Sequence, residues 1–411
     1  MLFLYRLFFI QSFTTRQIFF VTMGLIILGT EIGGCSQSFW MLLAGRIIQA
    51  SGTCVLMALL TNTIWVITPL AQRGTAIGMI GLVVLSAPAI APTFAGIILQ
   101  QLAWRWLFFM ILPFLILALV LGAVCLKNIT IPIKVPFDIM SLGLSILGFG
   151  GILYSISMIG MNGFSIIYMV EGLIGLLGLA AFVYRQMSLK IPVLQLRVFA
   201  YPMFSLGVFL VMGCMTLAFA VALLTPMVLH DVMGLSVFMT GIAMLLGGIM
   251  NGVTALIAGK LFDEIGPKRL IVVAAILMTA TAWGFSEMSS STSLWIFILL
   301  NCFILISIAA IITPAQTNGL NQLPKRYYSH GTAVMLTLQQ LAGGLGTAVF
   351  VGIMAIGEKK YLQTTVYSDN IMQYAITTGF NNAFKVALVL SVMVLIAALF
   401  LKRGVTRCGD E

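Results

Sequence analysis

An all-α polytopic membrane protein is the fold class this sequence predicts, and three observations carry the prediction. Of 411 residues, 61% are hydrophobic and only 8% are charged, against roughly a quarter charged in an ordinary soluble domain. The mean hydropathy is +1.13. Twelve runs are apolar and long enough to cross a bilayer core as helices, which takes about 20 residues each. The basic residues between those runs fall overwhelmingly on one side. A disordered, collagenous or disulfide-scaffold chain is excluded by the same composition.

The spans run at about 18–37, 40–66, 75–99, 105–126, 138–160, 165–185, 203–228, 236–258, 270–288, 294–316, 331–356 and 380–401. An apolar stub, residues 1–10 with Arg6 inside it, would reach only about 15 Å as a helix. It is neither a whole span nor a signal peptide. Trp40, Trp65, Trp104, Trp106, Trp283 and Trp295 lie near span ends, where an amphipathic ring prefers the headgroup level. Asp138 follows Pro-Phe at the start of its span and reads as an N-cap. Most of the 40 glycines lie inside spans, as in GLIGLLG (172–178) and GGLG (343–346). Small residues so placed let helix backbones approach closely. The longest loops, 127–137, 186–202 and 357–379, are too short for a soluble domain.

Orientation follows from the loops. With residues 11–17 in the cytoplasm, fifteen Lys and Arg fall on the cytoplasmic side, among them Arg73, Arg185, Lys268 and Arg269. Four, Arg105, Lys359, Lys360 and Lys385, fall outside. The net charge of +10 is therefore the positive-inside rule, and no nucleic-acid partner is expected. Six cysteines show no CxxC and no paired spacing, which leaves a metal site or disulfide framework unsupported. The chain has two histidines, His230 and His330, and no HExxH, nucleophile elbow or P-loop. An enzyme is not expected. Without a Walker lysine loop the energy for any transport is expected from an ion gradient, with no cofactor.

The sharpest motif is Gly259-Lys-Leu-Phe-Asp263-Glu-Ile-Gly266-Pro-Lys268-Arg269, of the form GxLxDxxGxKR, read as a loop between two hydrophobic helices. A glycine-flanked turn brings two helices close at the cytoplasmic face. Asp263 can then accept hydrogen bonds from a neighbouring helix end or pair with an arginine. A plain polar turn with a helix cap would explain Asp263 alone, but not the whole pattern.

This motif resembles the signature of the major facilitator superfamily, and the resemblance extends over nearly the whole chain. Residues 40–52, WMLLAGRIIQASG, are similar to the fourth-helix motif, with Arg46, Gln49 and Gly52 in place. Residues 87–109 resemble the antiporter motif of the fifth helix and the WRW that opens the sixth. Where that motif usually reads GPxxGG, this chain has Ala91-Pro92-Thr93-Phe94-Ala95-Gly96, with small residues at 87, 91 and 95. Residues 313–346 and 136–154 resemble the late helices and the extra central hairpin of fourteen-span drug:proton antiporters of the EmrB/QacA type, lincomycin-resistance-like exporters in particular.

The resemblance implies two helical bundles with a central two-helix insertion. It divides the chain into an incomplete N-terminal bundle (1–126), the hairpin with its linkers (127–202) and a C-terminal six-helix bundle (203–411). The fourth- and fifth-helix motifs arrive in the second and third full spans. A fourteen-span protein lacking its first helix and half its second accommodates them, and such a shortened chain is expected to be transport-inactive.

Ionisable groups within spans are costly and mark function by default. Given the motif around it, Arg46 is read as a cavity-lining residue coupling proton and substrate, or else as a tie to a backbone carbonyl. Glu31 and Glu171 are the only acids well inside spans. Each is a candidate proton site or part of a pocket for a cationic drug, or an acid leaning out to water. The function expected from the resemblance is proton-coupled multidrug efflux by a monomer in the bacterial cytoplasmic membrane. Its partners would be protons, lipid and small apolar or cationic drug-like compounds, the last suiting a chain with 28 Phe and 25 Met. Transport of one defined metabolite, or a transport-inactive truncated form, is the alternative.

Overall fold

The computed structural model describes residues 13–69, 72–128, 138–163, 165–189, 195–289, 292–324, 327–364 and 371–402. The stub 1–10 and the cytoplasmic cations Lys134, Lys190, Lys325, Arg326, Arg403 and Arg407 lie outside these residues. Every described element is helical. With no water in a hydrocarbon core, a helix satisfies its own backbone polar groups, so each apolar run closes on itself.

Thirteen α-helices follow in order among the described residues. They are α1 (Thr15–Gly34), α2 (Phe39–Ile67), α3 (Arg73–Gln101), α4 (Trp106–Phe109), α5 (Leu112–Cys125), α6 (Ile139–Asn162), α7 (Ile166–Ser188), α8 (Pro202–Met227), α9 (Val237–Ile265), α10 (Pro267–Ser286), α11 (Leu294–Asn321), α12 (Tyr328–Thr364) and α13 (Ile371–Leu399). All twelve predicted spans fall on helix. The fourth is broken between α4 and α5 just before Pro113, which sits in the first turn of α5 and has no N–H to extend a preceding ladder. Among the described residues, eleven stretches are long and apolar enough to cross a membrane.

Helix ends are set by local chemistry. A reciprocal capping box, Thr14 with Gln17, starts α1. Asp138 caps α6, accepting from the Ser141 backbone N–H at 3.2 Å. Two ends differ from the sequence reading. The GxLxDxxGxKR segment is not a loop: α9 runs on through Ile265. Gly266 alone turns the chain, with φ +80, and Pro267 opens α10. Lys260, Asp263 and Glu264 make this stretch read as a loop, but polarity alone does not end a helix. The 357–379 segment is likewise mostly helix, as α12 extends to Thr364 and α13 begins at Ile371.

Helix packing places the site. Helices α8 to α13 form the better-buried half, and a cluster of Phe285, Phe297, Phe380 and Phe384 joins α10, α11 and α13 with ring centroids 4.5–6.1 Å apart. The pair α1–α2 packs together, as does the hairpin α6–α7, which rests on α12. There Gly160 and Gly352 cross so closely that a Cβ on Gly352 would sit 2.8 Å from the Gly160 Cα. Between the α1–α5 half and the α8–α13 half, the extended contact is α3 against α9.

Candidate functional site

The α3–α9 contact is built on glycine. A Cβ on Gly78 would lie 2.7 Å from the Ala255 carbonyl oxygen, and one on Gly241 would lie 2.9 Å from the Thr93 Cα. At the cytoplasmic end, a Cβ on Gly259 would collide with the Gly74 carbonyl oxygen. The backbones therefore run in near contact along most of their length.

That approach lets Asp263 serve a helix to which it is not connected. The residue before α3, Gln72, makes no side-chain cap, so the first N–H groups of α3 lack a partner from their own segment. Asp263 supplies it. Its Oδ1 accepts from the Gly74 N–H at 3.1 Å, and its Oδ2 accepts from the Thr75 N–H and hydroxyl at 2.9 Å each. A carboxylate at a helix N-terminus also meets the positive end of the macrodipole.

One residue earlier, Arg73 reaches the other way. Its guanidinium lies over the Tyr328 ring, 4.8 Å from the centroid. Its Nη1 donates to the Tyr328 hydroxyl at 3.1 Å and to Asn321 Oδ1 at 3.4 Å. The start of α3 is thus tied to the ends of α9 and α11 and to the start of α12. Sequence reasoning counted Arg73 only as a topological charge.

Above this tie lies a cavity of about 80 Å³ between α2, α3, α11 and α12. On α3 its lining runs from Ile77 to Leu85, some 5–15 Å from the tie at 1.5 Å per residue. Its polar residues are Thr61, Thr313, Gln316, Gln339 and Gln340, and no charged side chain lines it. A space this size holds a few waters.

The fourth-helix residues assemble elsewhere, between α1, α2 and α4. Arg46 Nη1 donates to Gln49 Oε1 at 3.1 Å, and Gln49 Nε2 donates to Thr30 Oγ1 at 3.0 Å. The Arg46 guanidinium covers the Phe108 ring at 4.7 Å. Gly52 lets α2 cross α1, since a Cβ there would sit 2.6 Å from the Thr22 carbonyl oxygen. Arg46 and Gln49 form one cluster with Thr30 and Phe108, Gly52 packs separately against Thr22 and Ile26, and none of the three motif residues lines the cavity.

Glu31 is exposed on α1. Glu171, on α7, is half-buried, and its Oε2 is enclosed without a hydrogen-bond partner. Of the antiporter-type residues, Ala91 is exposed and Ala95 half-buried, while Gly96 is buried against the Phe238 backbone. Pro92 lies within α3. Gly74, Gly78, Thr93 and Gly96 sit at the close approach of α3 to α9, while Ala87 and Ala91 are exposed. Lys268 and Arg269 are exposed beside the Gly266 turn.

The profile of the Major Facilitator Superfamily matches residues 7–347. The chain belongs to that superfamily. It is 44% identical over 382 residues to the lincomycin resistance protein LmrB of Bacillus subtilis (strain 168), a match spanning 92% of this chain and 80% of that protein. It is 40% identical to the protein of the same name from Listeria innocua, over 92% and 81% of the two chains. The fold resembles the crystal structure of the human organic anion transporter MFSD10, with TM-score 0.60 and 14% identity, over 97% of this chain and 80% of that one. This facilitator is a multi-pass protein of the cytoplasmic membrane.

Proposed function

We propose that this facilitator exports drug-like compounds from the cytoplasm in exchange for inward-moving protons. The observation that carries the reading is the 44% identity, over 92% of the chain, to a lincomycin resistance protein. A cavity between helices from both halves is where facilitator-type transport would hold its cargo. At 80 Å³ it is too small for a drug, so cargo binding requires the halves to separate.

In this reading Gly259, Asp263, Gly266, Lys268 and Arg269 form the cytoplasmic gate, and Arg73 belongs to it. Arg46, Gln49 and Gly52 form the coupling cluster, with Glu31 and Glu171 as the candidate proton-carrying acids. Residues 1–126 and 203–411 act as the two moving bundles. The α6–α7 hairpin within 127–202 is the additional pair of the fourteen-span EmrB/QacA type, which agrees with its peripheral seat on α12.

The test is accumulation of lincomycin and of ethidium in a host lacking its own exporters. Expression is expected to lower accumulation of both, and a protonophore to abolish the effect. Export that survives collapse of the gradient rules out proton coupling, and export of a single metabolite with neither drug rules out multidrug efflux.

A further inference from the structure

We infer that Gln316 is the specificity-determining residue of the cavity, recognising on an otherwise apolar cargo an uncharged group that both donates and accepts hydrogen bonds, an alcohol or an amide. The inference rests on the export reading above and names the chemistry of its substrate. Gln316 stands on α11, is only 7% exposed and lines the cavity. Among the described residues its amide has no hydrogen-bond partner, and unlike the Oε1 of Gln339 neither of its polar atoms is sealed away from water. What stays accessible of this side chain therefore opens on the cavity. An amide carries donors and an acceptor together, so it asks the same of a ligand whichever way the group is turned.

The remaining lining fixes the class further. Thr313 lies three residues earlier on α11, on the same helix face, and lines the same space. Gly81 keeps that space open from the other half, since a Cβ there would stand 3.5 Å from Thr313 Oγ1. A group held by Gln316 would thus lie where α11 faces α3. The Thr61 hydroxyl is spent on the Met57 carbonyl of its own helix, at 2.9 Å. Every polar side chain of the described lining is neutral. A charge on the cargo finds no opposite charge there, whereas an alcohol or amide finds both a donor and an acceptor at Gln316. Ile77, Ile80 and Val84 of α3 would face the apolar body of the compound once the halves part. A compound without hydrogen-bonding groups displaces water from the amide and leaves it unpaired, and that cost is what discriminates.

The experiment uses the purified full chain and two probes: lincomycin, rich in hydroxyl groups and carrying an amide, and tetraphenylphosphonium, which has neither donor nor acceptor. Binding of each is measured for the wild type, Gln316→Met and Gln316→Asn. The methionine variant keeps the shape and removes the hydrogen bonds. It is expected to weaken lincomycin about tenfold and to leave tetraphenylphosphonium within about twofold. The asparagine variant keeps both functions of the amide and should recover most of the lincomycin binding. If the methionine variant does not fold, Gln316→Leu makes the same comparison. Equal loss for both probes, no loss for either, or a loss in Gln316→Asn as large as in Gln316→Met overturns the inference while leaving drug export intact. A wild type that binds neither probe overturns it together with the export reading.

Discussion

Asp263 caps the start of α3 by accepting from the Gly74 N–H, although 189 residues separate the two in sequence. Its two oxygens divide between the Gly74 and Thr75 N–H groups, with the Thr75 hydroxyl as a third donor. No other cap of α3 comes from its own N-cap side chain. In the proposed export cycle, closing the two halves at this face would complete a helix terminus, and opening them would strip it. Such a contact, made or broken as a unit, is what the proposed gate requires.

Replacing Asp263 with Asn is expected to leave the protein folded and in the membrane but to slow turnover by about tenfold. The substitution keeps the shape and removes the charge. Charge-assisted hydrogen bonds and the helix macrodipole together contribute on the order of 1–3 kcal/mol. Half-saturation should move little, because the cavity lining on α3 begins at Ile77, beyond the capped turn. Initial efflux rates at matched membrane abundance test this; an unchanged rate would reduce the contact to a purely structural helix cap.

Arg73 should be more sensitive to loss of its planar head than of its charge. Stacking at 4.8 Å on Tyr328 and a bond to its hydroxyl use the guanidinium plane and donor fork that lysine lacks. Arg73→Lys is thus expected to slow efflux nearly as much as Arg73→Ala. Tyr328→Phe keeps the ring and should cost about two- to tenfold, consistent with one hydrogen bond of roughly 0.5–1.5 kcal/mol. Efflux that is normal in Arg73→Lys would show that only the positive charge matters.

Particular residues show what the sequence disclosed. The spans were legible because a bilayer demands runs of a length that little else in a chain produces. Arg46 and Gln49 were legible as a pair, since a spacing of three puts them on one helix face; their partners Thr30 and Phe108 were not, because only folding brings α1 and α4 beside α2. The GxLxDxxGxKR pattern located Asp263, yet its partner could not be read, since backbone N–H groups carry no sequence signature. Arg73 was hidden by its place near a span end, where every cation also serves topology. Gln339 had a signal that went unused: an amide within an apolar run is costly in a membrane.

Two glycines should respond oppositely to alanine. A Cβ on Gly259 would collide with the Gly74 carbonyl oxygen, a backbone atom that cannot step aside. Gly259→Ala is expected to force α3 and α9 apart, costing about 1–3 kcal/mol and most of the transport. Gly24 has nothing within 4 Å of its Cβ position and lies in mid-helix α1. Gly24→Ala should be neutral or stabilising by about 0.5–1 kcal/mol, with normal efflux. Thermal unfolding and efflux assays on the two variants decide it, and similar behaviour of both would contradict the close α3–α9 packing.

The base of the α6–α7 hairpin should carry a pH signature. Burial pushes the Asp138 carboxyl up, but hydrogen bonds from Arg185 and Ser141 and the Arg185 charge outweigh it and hold the pKa at about 2, below the ordinary 3.8. The Arg185 guanidinium makes two bonds to it, both 3.0 Å long. A carboxylate whose pKa falls on folding stabilises the folded state above its unfolded pKa and loses that contribution as pH drops through the folded one. The pair should therefore act fully at pH 5–7 and fade between roughly pH 4 and 2. Asp138→Asn keeps an N-cap acceptor and removes the charge, so it isolates this effect, expected to be about 0.2–1 kcal/mol for a pair near the surface. Unfolding measured from pH 7 downward should show the wild type ahead at neutral pH and the gap closing towards pH 2, with Arg185→Gln abolishing the difference. A gap that stays constant across that range would mean the ion pair does not stabilise the hairpin.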